Sequence, residues 1–160
     1  EAIRTRNRGT RLHSLIENYV KNNPEYSKQQ DPYTLDLFYQ IQPHVNKIDN
    51  VRAIEGFLWS KPLRIAGRVD CIAEYQGVPS VIDFKGSTKP KRKDDIHNYF
   101  LQATAYAVMW EERTGEKIPQ IVILITCDDG TTQVFTEQTK EYKKDLAVAI
   151  KEWRDEYEPR

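Results

Sequence analysis

The sequence predicts an α/β domain, a mixed sheet flanked by helices, and three observations carry that expectation. Apolar residues recur at helical spacing near both ends and in the middle of the chain. Three β-rich segments follow one another between positions 51 and 87 with only short connections, too short for crossovers. A continuously apolar, β-branched run, PQIVILITC, comes soon after the middle helix, as expected of a strand buried on both faces. The element order is α, α, β, β, β, α, β, β, α. The 160 residues, 39% hydrophobic and 30% charged, fit one domain over 1–160.

From Arg8, RGTRLHSLIENYVKNN sets Leu12, Ile16, Tyr19 and Val20 on one helical stripe, and Asn22-Asn23-Pro24 stops it. YTLDLFYQIQPHVNKI reads as a second helix in two pieces, because Pro43 is expected to break or kink it. VRAIEGFLWS, LRIAGRVDCIAEY and VPSVIDFKGS are strands of an antiparallel meander, separated by Lys61-Pro62 and Gln76-Gly77. In the middle strand Ile65, Gly67, Val69, Cys71, Ala73 and Tyr75 fall on one face; Arg68, Asp70 and Glu74 fall on the other. One face is expected to pack and the other to meet water or do chemistry. After a basic connector, STKPKRKDD, Ile96, Phe100, Ala103, Ala107 and Trp110 form a third helical stripe that Gly115 ends. TQVFTE returns antiparallel after Asp129-Gly130, and TKEYKKDLAVAIKEWRDEY closes the chain as a helix.

Lys and Arg number 24 against 24 Asp and Glu, so no global basic field announces nucleic acid and any such site must be local. Cys71 and Cys127 lie far apart without CxxC spacing. The chain alone therefore builds neither a four-cysteine zinc site nor a cysteine-ligated iron–sulfur cluster, and reduced, intracellular thiols are expected. No run approaches the ~18 apolar residues of a membrane span. The first residue is Glu1 rather than Met, as in a processed or trimmed chain.

In VIDFKGS, Asp83 and Lys85 fall on one side of a strand, and Asp70 stands on its antiparallel neighbour. Adjacent strands lie about 4.8 Å apart, so two carboxylates on one face can converge on a single cation. Taken singly, each charge is more simply a solvated group in a cross-strand pair worth a few tenths of a kcal/mol. The ordered set is more specific: His13 upstream, GRVD, IDFK, then Gln102 and Tyr106 at i, i+4 on a helix.

That set resembles the PD-(D/E)XK nuclease superfamily in its RecB-type branch, whose core runs αβββαβ. The family's helix His, G-x-x-D, D-x-K and Q-x-x-x-Y fall here on His13, Gly67 to Asp70, Asp83 to Lys85, and Gln102 to Tyr106. AGRVDCIAEYQGVPSVIDFKGSTKPK is similar to exonucleases of mitochondria, phages and bacteria within that branch. The likeness runs from RGTRLH to the strand around Ile123. Relatives often continue D-x-K with Thr-Ser, whereas Gly86 offers no hydroxyl here.

The resemblance implies a metal-dependent DNA exonuclease acting on single-stranded ends or flaps in replication, repair or recombination. The alternatives are a structure-specific endonuclease of the same fold and a DNA-binding module without catalysis. It implies Mg²⁺ or Mn²⁺ held by Asp70, Asp83, the Phe84 carbonyl and His13, oxygen and imidazole donors that suit those ions. Lys85 would orient or deprotonate the attacking water, or offset charge on the phosphorus. His13 alone could equally edge the core, Glu17 either tunes it or faces solvent, and Glu55 either reaches the site or is an edge charge. Gln102, Tyr106 and Tyr99 would line the path of the strand, with Lys89, Lys91, Arg92 and Lys93 gripping phosphates and Arg4, Arg6, Arg8 and Arg11 adding charge. The setting implied is the cytoplasm of a bacterium or phage-infected cell, or the mitochondrial matrix.

Overall fold

Gln76 (φ 51°) and Gly77 (φ 81°) both adopt left-handed backbone, the pairing a two-residue type I′ turn requires. They close a hairpin between strands β2 (Ile65–Tyr75) and β3 (Val78–Ser87), with Tyr75 opposite Val78. Before it, helices α1 (Ala2–Val20) and α2 (Pro32–Val45) lead into strand β1 (Ile48–Ser60), which pairs antiparallel with β2. After it, a 3₁₀ turn (Lys93–Ile96) opens helix α3 (His97–Thr114), which crosses over to β4 (Gln120–Cys127), parallel to β3. Strand β5 (Thr132–Gln138) pairs antiparallel with β4, and helix α4 (Lys143–Tyr157) ends the domain. The sheet order β1-β2-β3-β4-β5 is the mixed, helix-flanked sheet that the element order predicts. This computed structural model describes the backbone of residues 2–157 and the side chains of 9–156; the arginines at 4, 6 and 8 therefore lie outside the described side chains.

Local chemistry fixes the helix ends. Asp31 accepts from the Thr34 N–H at 2.8 Å and Pro32 occupies the first turn, so α2 starts on a capped, preorganised end. Gly115 (φ 78°) ends α3 with its N–H on the Glu111 carbonyl. The expected break at Pro43 does not occur. Pro43 has no N–H for the Tyr39 carbonyl four residues back, but only His44 and Val45 follow it, and the helix runs unbroken to Val45.

Both faces of the sheet are packed, which corrects the expectation of one dry face. Val69, Ile72, Val81, Ile123 and Ile125 pack with Phe100, Ala103 and Met109 of α3; Cys71, Ala73, Tyr75, Ile82 and Phe84 pack with Leu15 and Ile16 of α1 and Phe38 of α2. Val69 and Cys71 therefore lie in opposite cores. The alternation slips at Asp70, whose place opposite Glu55 drops out of the ladder where Glu55 takes a left-handed φ of 52°. Strand β2 also parts from β3 at this point. Their ladder stops at Cys71↔Ile82, while β2 stays paired with β1 and β3 with β4 to their ends. The result is a fork, with a β1–β2 arm on one side and β3–β4–β5 on the other.

Candidate active site

Where β2 leaves β3, the Phe84 N–H loses its strand partner. Asp70 supplies the replacement: its Oδ2 accepts that N–H at 2.9 Å, so the carboxylate is built into the crotch of the fork. Its other oxygen meets the His13 Nε2 at 3.1 Å, and the His13 Nδ1 lies 2.8 Å from Glu17, one turn further along α1. Glu17 in turn is hydrogen-bonded to Glu55, a residue with left-handed backbone on β1. The sequence leaves Glu17 and Glu55 open as site members; the structure brings both to the imidazole's side of the fork.

Asp83 and Lys85 occupy the opposite side, on the β3 face toward α3. The Lys85 Nζ lies 3.0 Å from Asp83, donates to the Gln102 Oε1 at 3.3 Å and stands 4.7 Å from the centre of the Tyr99 ring. Tyr106 is 6% exposed, and its hydroxyl is hydrogen-bonded to the Arg68 backbone. Its ring lies against Gly67, where an added Cβ would stand 2.8 Å from Cε1. The glycine of GRVD thus lets α3 close on β2 and set the position of Asp70. Gly67→Ala is expected to cost about 1–3 kcal/mol by overpacking, read as a lower denaturation midpoint at unchanged m value. Gly86, by contrast, has open space around its Cβ position.

The electrostatics follow from crowding acids at one buried point. Burial, then the neighbouring Asp70, push Asp83 up to about 8. Burial also acts to raise Asp70, but hydrogen bonds with His13 and Asp83, the His13 charge and the Phe84 N–H outweigh it and bring it to about 2. Burial and the shared bond with Glu55 lift Glu17 to about 7. The Asp70 hydrogen bond raises His13 against its own burial. Lys85 is also raised, since Asp83 outweighs the effect of burial.

A divalent cation suits this donor set. Single ligand atoms of His13, Glu17 and Asp70 lie within 4.8 Å of one another, and Asp70 is hydrogen-bonded to Asp83. The buried Asp83 Oδ2 has Lys85 close by but no aligned hydrogen-bond donor. A carboxylate oxygen left this way, amid acids whose protons a cation would displace, fits a hard ion.

Two clefts meet at the end of β3. One, about 530 Å³, runs along α1 past His13, Glu55 and Gly86; the other, about 510 Å³, lies toward Tyr99, Lys89 and Lys91, and both share Gly86, Ser87 and Thr88. Of the four basic connector residues, Arg92 is paired with Asp95 and Lys93 with Glu137. Lys89 and Lys91 line the cleft itself, and Gln133 clamps the Lys91 backbone through both its N–H and its carbonyl. Arg11 is turned to Asp31 at the start of α2. Cys71 and Cys127 are buried in opposite cores, and burial pushes the Cys71 thiol up to about 12. No helix among the described residues is long and apolar enough to cross a membrane.

Residues 37–158 match the model of the PD-(D/E)XK nuclease superfamily, and the chain belongs to that superfamily. The curated relatives it matches include the human mitochondrial genome maintenance exonuclease 1, 36% identical over 130 residues, which cover 77% of this chain and 37% of the human protein. The mouse protein of the same name is 28% identical over 128 residues, with the same shares covered. This chain thus spans little more than a third of the length of those relatives. A crystal structure assigned as an exonuclease from Eubacterium rectale superposes with a TM-score of 0.59 at 15% identity, covering 89% of this chain and 63% of that one; it supports the shared fold.

Proposed function

We propose that this domain is a divalent-metal-dependent deoxyribonuclease, an exonuclease that removes nucleotides from ends of single-stranded DNA or flaps in replication, repair or recombination. The observation that carries this is the fork. Asp70 reaches it from one strand and Asp83 with Lys85 from the next, while His13 closes it from α1. Exonuclease activity also agrees with the names of the relatives the chain matches.

Asp70, Asp83, His13 and the Phe84 carbonyl would hold Mg²⁺ or Mn²⁺, which when bound supplies an activated water and neutralises charge on the scissile phosphate. Lys85, held 3.0 Å from Asp83, would orient or help deprotonate the attacking water, or offset charge that builds on the phosphate oxygens. Gln102 fixes Lys85, and Tyr99 lies under the ammonium. Glu17 and Glu55 hold the imidazole so that Nε2 faces the fork. Tyr106 acts from behind, by seating the arm that carries Asp70. Lys89 and Lys91 grip the backbone beside the cut, and Arg92 and Lys93 join them only where phosphate displaces Asp95 and Glu137. The working compartment is intracellular, either the cytoplasm of a bacterium or phage-infected cell or a mitochondrial matrix.

End-labelled linear single strands and covalently closed circular single strands, each incubated with the protein and Mn²⁺, test the exonuclease reading. Shortening of the linear strand with the circle intact is the expected result. Cutting of the circle would place the domain among endonucleases.

A further inference from the structure

Beyond the fork, the β1–β2 arm carries an aromatic face that the catalytic site does not use. Phe57 lies opposite Arg68 and Trp59 opposite Ala66, so these four side chains share one face of the arm. The alternate set turns toward α3: Gly67 abuts Tyr106 and Ser60 bonds to Glu112. The aromatic face is therefore the other face of the arm; its Arg68 reaches Glu55 on the wall of the cleft that His13 lines, and its Trp59 end meets Arg113 from the last turn of α3. Phe57 is 65% exposed, the most exposed large apolar side chain among the described residues, and Trp59 is 44% exposed. Their ring centres lie 5.9 Å apart, and the Arg113 guanidinium covers one side of Trp59. Arg68, 3.7 Å from Glu55, bridges the cleft wall and the rings, while exposed Lys61 and Arg64 mark the arm's tip.

We infer that this face is a stacking platform for unpaired bases, on which a single strand lies as it passes between the fork and the tip of the arm. Two neighbouring rings with a flat cation beside each suit a chain of bases and phosphates better than they suit an apolar partner. The face is continuous with the candidate active site through β2, since Arg68 and Asp70 stand two residues apart. The inference rests on the nuclease reading and gives it a preference for single strands, because paired bases keep their faces covered.

The test is binding of a fluorescein-labelled oligothymidylate in EDTA, followed by anisotropy, with a blunt duplex of equal length alongside. Phe57→Ala and Trp59→Ala are each expected to weaken single-strand binding about tenfold or more while leaving duplex binding unchanged. Phe57→Leu, which keeps apolar bulk without a π face, should lose affinity as well; Phe57→Tyr should retain it. Tyr39→Ala, another exposed aromatic that lies on α2, should change nothing. Wild-type affinity in Phe57→Ala and Trp59→Ala, or an equal loss for duplex, would overturn the platform, and wild-type affinity would leave the face to a protein partner. Binding is read without cleavage. A wild type that binds through these rings yet never cuts removes the nuclease reading alone, and one that cuts while both variants bind normally removes the platform alone.

Discussion

Asp83→Asn and Lys85→Ala are each expected to slow cleavage of an end-labelled single strand by a factor on the order of 10²–10³ or more, the scale seen when a preorganised charge-stabilising group is removed. Their effects on the cation-free fold should have opposite signs. Asp83 is buried beside Asp70 and raised to about 8, so near neutral pH the folded state must take up a proton that a neutral Asn does not need, and the melting temperature should rise. Lys85 is the cation that faces Asp83 and favours its ionised form, and its truncation should lower the melting temperature at pH 8 and above, where Asp83 is charged. Thermal unfolding followed by circular dichroism, run beside the cleavage assay, separates lost chemistry from lost structure. Undiminished cleavage by both variants would contradict the assignment of these residues.

Without divalent cation, the stability of the wild type is expected to fall as pH rises from 5 to 8. Asp83 and Glu17 are raised from 3.8 and 4.5 to about 8 and about 7, so the folded state holds protons that the unfolded chain has already released. Over that window the unfolded state binds fewer protons than the folded one, and stability declines with pH. His13 is raised above 6.5, and its contribution is likewise lost as pH climbs through its folded value. Asp70, lowered to about 2, contributes stability that is fully present above about 4 and changes little across the window. The decline is expected to be at least on the order of 1 kcal/mol, or ~2–4 °C. Saturating Mg²⁺ or Mn²⁺ should reverse it, because a ligand that binds only the folded, deprotonated site stabilises that state. A flat or rising profile without cation, or no response to the ion, would contradict the crowding of acids at the fork.

Much of this arrangement was legible in the residues. The D-x-K spacing alone places Asp83 and Lys85 on one side of a strand, and the Gln76-Gly77 turn sets β2 beside β3 in a fixed antiparallel register. The fork was not legible, because nothing in IAGRVDCIAEY marks the residue at which β2 stops pairing. That depends on the left-handed backbone of Glu55 and on Asp70 taking over the Phe84 N–H, a contact 14 residues away. Period-two reasoning failed at the same place, putting Val69 and Cys71 on one face when they occupy opposite cores. Pro43 misled in a simpler way, since the loss of one N–H bond two residues before the end of α2 does not interrupt that helix. Phe57 and Trp59 read as ordinary strand residues. Their exposure follows from the arm projecting past the fork, and residue spacing carries no trace of that.

The most direct test of the account is a calorimetric titration of Mn²⁺ into the wild type and into a variant carrying both Asp70→Asn and Asp83→Asn. A saturable heat of binding in the wild type that vanishes in the double variant is the predicted result. Equal binding in both proteins, or none in the wild type, would contradict a metal-dependent nuclease site at the fork, and the second outcome would leave a nuclease fold that handles DNA without cutting it.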